Sequence, residues 1–491
     1  MELGKIIKAI ECNEVLNYKD VDIKGISYNS KTINSHEIFV CLKGEHVDGH
    51  EFAQMAFEKG AVALMVEKPL NIEIPQLVVS SCQEKIADLA CCFHHNPSQE
   101  LNLIGVTGTN GKTTVTHLVQ KIIEEDQKKC ALIGTLGYKL SSSDDYLEAK
   151  HTTPQAPELQ KTLSKILKQD ILNVVTEVSS HALEQSRVRG CKFSGAVLTN
   201  LTQDHLDFHI TMENYFKAKA KLFSNLQKGS YAVINNDDKW SERFLSEVPE
   251  GVTVLTYGVK KNSGLMAVDI EFTSRGVNFL CVCGDEKEEI KLYLNGMFSV
   301  YNALAAIGVG LSMGISMKTC KEALERTRSV AGRFEIVNSD PMVIVDYAHT
   351  PDGLENILRA ARELTPKNAN LICLFGCGGD RDATKRPKMG KIAQSLSDKI
   401  VVTSDNPRSE DPQQIITDIL SGLKLINSKT VFVEPDRQLA IELLKKISKP
   451  EDVIIVAGKG HEDYQILADR TIHFDDREEV QKVFASLNTV K

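Results

Sequence analysis

The sequence of 491 residues contains no run of about 18 apolar residues, so no membrane-spanning helix is expected. Its first residues, MELGKIIKAIECNEV, lack a basic start, an extended apolar stretch and a small-residue cleavage site, so no export signal is expected either. Positive charge is not in excess. The 66 acidic and 58 basic side chains leave a formal net charge of -8, which argues against a broad nucleic-acid surface. A local basic pocket for a small anion is still compatible with that balance. No CxxC pair occurs, and the 12 cysteines are scattered, with Cys373 for example inside the apolar run 371–375. Buried, reduced thiols in a cytoplasmic protein are the expectation. Repeats and low-complexity tracts are also missing.

What is present is the composition of a folded chain, with 42% hydrophobic and 25% charged residues. The length suggests about three domains. Short apolar runs alternate with helical periodicity, the pattern of an α/β fold. Strands are expected at residues 38–42, 61–66 and 76–79, before a break at Asn96-Pro97-Ser98. The run 101–106 then opens a second domain, which a helix over 320–329 and Gly332 close. A third domain begins at Arg333 and contains strands at 342–345, 371–375, 399–403 and 453–457. The expected division is therefore 1–98, 99–332 and 333–491.

The apolar run Leu103-Ile104-Gly105-Val106 leads into TGTNGKTT and a helical stretch over 115–125. A strand, a glycine-rich loop and a helix aim backbone N–H groups and a helix N-terminus at phosphate oxygens. Gly108, Thr109, Asn110, Gly111 and Thr114 belong to this cradle. Lys112 can bridge β- and γ-phosphates, and the Thr113 hydroxyl can ligate magnesium. Val106 stands where the strict phosphate-loop pattern has its first glycine, but the arrangement still points to ATP or GTP.

A second strand, 171–176, ends at the acidic Glu177, the position where parallel sheets place ligand contacts. A third, 195–198, leads into TNLTQDHLDFH, whose acids and histidines fit either a polar turn or a metal site. In the helix that follows, at about 100° per residue, Lys219 falls at the centre of the face formed by Tyr215, Phe216, Leu222 and Phe223. Lys217 and Lys221 point away. An isolated ammonium there is costly. A lysine there should snorkel, pair with a nearby acid, or lose its charge; in the last case, reaction with CO2 would give a carbamate whose oxygens can bind magnesium.

TGTNGKTT, EVSSHAL, NLTQDHLDFH, YFKAKAKLF, AGRFE, DYAHTPD, GCGGDRD, DNPR and AGKGHE occur in an order that resembles the Mur ligases, specifically the diaminopimelate-adding branch. The resemblance implies three α/β domains: one holding a uridine nucleotide, a central phosphate-loop ATPase with a mainly parallel sheet, and a Rossmann-like C-terminal domain admitting the amino acid. It implies an acyl-phosphate ligation of meso-diaminopimelate to UDP-MurNAc-L-Ala-D-Glu by a cytoplasmic monomer with Mg2+ and ATP.

On that resemblance Thr113, Glu177, His205 and Lys219, as N6-carboxylysine, hold metal. Lys112, Glu177, His205 and Lys219 form the catalytic set. Asn302, Arg333 and Asp346 contact adenine, phosphate and ribose, with His349 beside them. Ser30, His46, Thr152, Thr153, Ser179, Gln185 and Arg187 hold the uridine-linked dipeptide. Arg381, Asp405, Asn406, Pro407, Arg408, Gly458 and Glu462 form the amino-acid pocket. The fork of Arg408 suits the distal carboxylate of diaminopimelate, which lysine lacks. Ser299 and Thr384 depart from the family pattern, and are expected to touch adenine packing and a loop near the amino-acid site. Alternatives are a lysine-adding Mur ligase, a folylpolyglutamate synthase-like ligase, and a phosphate-loop module that uses ATP only as a switch.

Overall fold

The computed structural model describes residues 1–44, 47–147, 151–273, 275–424 and 429–484. His46 lies outside the described residues. Three main sheets follow one another along the chain. The N-terminal sheet runs in the spatial order Glu14–Leu16, Gln76–Val78, Ala63–Val66, Glu37–Val40, Gly25–Ser27, parallel except for its first strand.

Among the described residues the central sheet has ten strands, and seven neighbouring strands at its heart are parallel. In spatial order these seven are Leu265–Thr273, Thr253–Gly258, Tyr231–Asn235, Gly195–Leu198, Asn102–Thr107, Asn173–Glu177 and Cys130–Gly134. The last five are buried almost throughout rather than alternating, because helices cover both faces. Helices Lys112–Glu125 and Met297–Ser312 pack on one face, through Val115, Leu118, Ile122, Ala303 and Ile307. Helices Ala156–Leu167 and Met212–Ser224 pack on the other, through Leu159, Leu163, Tyr215, Phe216 and Leu222. Strand Asn102–Thr107 lies between two strands that come later in the chain. That places a crevice at the C-terminal ends of these strands, where open α/β sheets bind ligands.

The C-terminal sheet runs Glu335–Ser339, Met342–Asp346, Val453–Ala457, Leu371–Phe375, Lys399–Val402, Val431–Val433, parallel except for its first pair. Helix Pro351–Leu364 starts where Thr350 accepts from the Gly353 N–H and Pro351 supplies a preset φ. Helix Arg437–Ile447 starts where Asp436 accepts from Gln438 and Leu439 N–H.

Strands at 195–198, 371–375 and 453–457 occur with the expected bounds, and the others differ by one or two residues. The helix expected over 320–329 runs instead from Met317 to Arg326. Ser316 accepts from the Thr319 N–H and so starts it earlier; Thr327 is extended and ends it.

Between the short helix Leu206–His209 and helix Met212–Ser224, Ile210 has φ +67° and ψ -46°, and the Thr211 N–H donates to the His209 carbonyl at 2.7 Å. This is the strained form of the three-residue turn, and a β-branched residue at its centre is unfavourable. Ile210 is also 70% exposed, so no burial offsets the strain. Ile210→Gly is expected to stabilise the central domain by about 1 kcal/mol after the entropy cost of glycine. Denaturant unfolding of the two proteins checks this, and an unchanged or lower midpoint would count against it.

Candidate active site

Strand Asn102–Thr107 delivers its chain into the phosphate loop, and helix Lys112–Glu125 leaves it. The loop closes tightly on its neighbours. A Cβ on Gly108 would lie 1.8 Å from Thr199 Oγ1, and one on Gly111 would lie 2.4 Å from Asn302 Oδ1. Gly111 also has φ +88°. Lys112 Nζ folds back to donate to the carbonyls of Gly108 and Thr109, each at 2.9 Å. Thr113 Oγ1 accepts from Arg333 Nη2 at 2.9 Å, which brings the C-terminal unit onto the loop. Asn110 adds a second link, donating from Nδ2 to Asp352 Oδ2 at 2.8 Å.

A cavity of about 300 Å3 opens beside the loop, lined by Asn110, Gly111, Thr114, Asn302, Arg333 and Asp346 among others. Sequence reasoning named all six. It missed Asn200, Tyr301 and Asp352, which line the same space. Asp346 accepts from the N–H groups of Phe334 and Ala348, and burial pushes its carboxyl above the usual range. Ser299 does not line this cavity; its hydroxyl donates to the Asn295 carbonyl, just before its helix, at 2.6 Å. His349, grouped by sequence with Asp346, turns the other way, placing Nε2 3.8 Å from Asp204 Oδ2.

A larger cavity, about 890 Å3, lies on the far side of the loop between the central and C-terminal units. Thr152, Ser179, Gln185, Arg187 and His205 line one end, and Arg381, Asp405, Asn406, Arg408, Gly458 and Glu462 the other. Thr153 and Pro407 sit behind this lining. Thr153 donates to the Glu177 carbonyl at 2.9 Å, and the Pro407 carbonyl accepts from the Glu410 N–H. Ser30 lines neither cavity; it is buried in the N-terminal unit, where its carbonyl accepts from Lys59 Nζ.

Glu177 is held at its strand end by Thr135, whose N–H and hydroxyl donate to its two carboxylate oxygens at 2.9 and 3.0 Å. Thr135 follows the parallel strand Cys130–Gly134, and a polar residue at such a strand end was a usable signal. His205 faces Asp204 at 3.2 Å and packs edge-on against His181 at 4.8 Å between ring centres. Burial holds the imidazole well below its usual pKa.

Lys219 is buried to 1% exposure, as the helical face demanded. Its Nζ donates to the Gly108 carbonyl at 2.8 Å and lies 4.8 Å over the Tyr215 ring. Among the described residues no carboxylate lies within ion-pair distance of it. Burial, then the nearby Lys112 ammonium, push its pKa far below the ordinary lysine value. A neutral, nucleophilic amine is the form that adds to CO2. Among the described residues no three His, Cys, Asp or Glu side chains converge as a metal site on their own. A carbamate on Lys219 would add two anionic oxygens to the single carboxylate of Glu177 and the imidazole of His205.

At the opposite end, Arg408 Nη1 donates to the Gly379 carbonyl at 2.8 Å, with φ +54° aiming it back into the cavity. Burial, and then the neighbouring Arg381, disfavour its charge. Two guanidiniums beside one another form a site for an anion. Thr384 donates to Asp382 at 2.6 Å and accepts from Gln203 Nε2 at 2.9 Å, tying the loop near Arg381 to the central unit. Lys385, 4% exposed, reaches to 3.7 Å from Asp204 Oδ1 across the same boundary.

Gly111→Ala places a methyl on Asn302 in a backbone conformation that alanine resists. Affinity for ATP is expected to fall by about tenfold or more, since one or two kcal/mol of strain would be lost from binding. Titration with a nucleotide checks it, and unchanged affinity would sink the assignment.

The chain matches the Mur ligase family catalytic domain over residues 22–90, the Mur ligase middle domain over 106–310 and the Mur ligase glutamate ligase domain over 332–460. It is 45% identical, over 99% of its length and 100% of the relative, to the UDP-N-acetylmuramoyl-L-alanyl-D-glutamate–2,6-diaminopimelate ligase of Clostridium botulinum. A solved structure titled with the same enzyme name superposes with a TM-score of 0.69 at 31% identity, covering 100% of both chains. The folylpolyglutamate synthase of Mycobacterium tuberculosis, solved with ADP and AMPPCP, shares the fold at a TM-score of 0.65, 16% identity, 76% of this chain and 92% of that one. With three domain matches in order and a relative alike from end to end, this chain belongs to the Mur ligase family.

Proposed function

We propose that this chain is an ATP-dependent ligase that joins meso-2,6-diaminopimelate to the D-glutamate carboxylate of UDP-MurNAc-L-Ala-D-Glu, acting in the cytoplasm on peptidoglycan precursors. The observation that carries the reading is the larger cavity. It joins a muramyl-peptide end, with Ser179, Gln185 and Arg187, to an end where Arg381 and Arg408 stand beside Asp405 and Glu462. Such an end suits a group bearing both a carboxylate and an ammonium, which is the far end of diaminopimelate. Lysine would leave the guanidinium pair without an anion. The full-length relatives bearing this enzyme name support the same choice.

The phosphate loop holds ATP with its backbone N–H groups, and Lys112 swings from the Gly108 and Thr109 carbonyls onto the phosphates. Arg333 releases Thr113 and takes a phosphate oxygen. The residues also fit Mg2+: Thr113, Glu177, His205 and Lys219 as N6-carboxylysine would hold it. The ion, when bound, supplies neutralisation of phosphate charge. The D-glutamate carboxylate, positioned by Ser179 and Arg187, attacks the γ-phosphorus; the bond to the β-phosphate oxygen breaks, ADP leaves and an acyl phosphate remains. The amine brought by the C-terminal unit, as its free base, then attacks the acyl carbon, expels inorganic phosphate and loses a proton to give the amide. Contacts such as Lys385 to Asp204 hold the two units together and limit water at the intermediate.

Phosphate release from ATP with UDP-MurNAc-L-Ala-D-Glu tests the reaction. Release is expected with meso-diaminopimelate and not with L-lysine, with tripeptide product by mass. Release with lysine alone would overturn the amine assignment. Arg408→Ala should raise KM for diaminopimelate by about tenfold or more and leave KM for ATP nearly unchanged. Equal effects on both would point to a folding defect. Lys219→Ala should lose at least about tenfold in activity and recover part of it in added short carboxylates. Full activity in that variant would refute the carbamate.

A further inference from the structure

Lys459 is fully buried, at 0% exposure, and does not itself line the amino-acid cavity. Its polar partners all do. Nζ lies 3.3 Å from Asn406 Oδ1, 3.3 Å from Glu462 Oε2 and 3.8 Å from Asp405 Oδ1. The Tyr464 ring, which also lines the cavity, covers it at 5.5 Å. Asn406 Nδ2 donates to the same Glu462 oxygen at 2.8 Å, so lysine and amide together fix that carboxylate. Asp405 Oδ1 has no hydrogen-bond partner and is shut away from solvent.

Two carboxylates on one buried wall repel each other, and without a cation one of them keeps a proton. A protonated acid cannot accept fully from an ammonium. Lys459 beneath them offsets that repulsion, with Nζ 3.3 Å from Glu462 and 3.8 Å from Asp405, and two carboxylates with one ammonium leave one net negative charge. That charge matches one ammonium.

We propose that Lys459 is a positioning residue for amine selection: from behind the wall it offsets the repulsion between the Asp405 and Glu462 carboxyl groups and keeps them oriented toward the distal ammonium of a diamino acid. The inference rests on the proposed reaction and deepens it. It assigns the guanidinium pair to the far carboxylate and the lysine-backed acid pair to the far ammonium.

The neighbours of Glu462 set the expected pH response. Asp405 faces it from the loop after strand Lys399–Val402, Tyr347 from the end of strand Met342–Asp346, and Tyr464 from the start of strand Tyr464–Ile466. Arg408 and Arg437 are the further cations near it. Burial and Asp405 already push the Glu462 carboxyl upward, and Lys459 opposes them. Removing the lysine therefore raises it further, and the protonated, non-accepting form grows as pH falls.

The test is the pH dependence of KM for diaminopimelate between about pH 7 and pH 9 in the full chain, after ligation by the unaltered protein is established. Lys459→Met is expected to raise that KM by about tenfold at the low end, and the ratio to wild type should shrink as pH rises. KM for ATP should stay unchanged. In Lys459→Met with Glu462→Gln, no carboxyl at 462 remains to titrate, so the ratio should be flat. Lys459→Arg keeps the charge and should retain the wild-type profile; this variant decides the matter if the methionine variant is unstable. A KM in Lys459→Met equal to wild type, or raised without pH dependence, would overturn the proposal, as would an arginine variant with a pH-dependent defect. No product from the unaltered protein with any amine would instead count against the proposed reaction.

Discussion

The carbonyl of Gly108 accepts from two lysines, Lys112 at 2.9 Å and Lys219 at 2.8 Å. Two amines on one buried oxygen, with no carboxylate among the described residues in ion-pair contact with either, cannot both carry a full charge at low cost. Much of the site's arrangement answers that constraint. Lys112 has an outlet, because phosphates can draw it away. Lys219 is locked between Tyr215 and the strand end at Thr107, where burial and the Lys112 ammonium disfavour its charged form. The bare backbone of Gly108 lets Thr199 approach and presses the loop onto the second strand end.

Charge of both signs lines the larger cavity: Asp204 and His205, then Arg187, Arg381 and Arg408, and the acid pair Asp405 and Glu462 backed by Lys459. All but Arg187 sit at the end of a parallel strand or in the loop just beyond it. The chemistry is therefore spread over distant parts of the chain and assembled by the sheets rather than by local sequence.

That spread explains what could be read in advance. Lys219 was legible because a helix has a fixed period, and one lysine on an apolar face is visible without knowing any neighbour. The phosphate loop was legible because strand, loop and helix are contiguous. Lys459 was not, because it lies in a turn without periodicity and its partner Asn406 is 53 residues away. Asp204 looked like one more polar residue in a polar turn; only the arrival of Lys385 and His349 from the C-terminal unit gives it a role. Ser299 is the converse case, since its hydroxyl is satisfied locally, on the Asn295 carbonyl four residues back.

The contacts of Asn110 with Asp352, and of Thr113 with Arg333, join the nucleotide loop to a different domain. Any free energy by which a bound nucleotide favours this juxtaposition must reappear, equal in size, as tighter nucleotide binding when the domains are already together. A ligand seated only in the amino-acid cavity and favouring the same juxtaposition would then strengthen ATP binding without touching it. The coupling between the two pockets is thereby a property of these interdomain contacts as much as of either pocket.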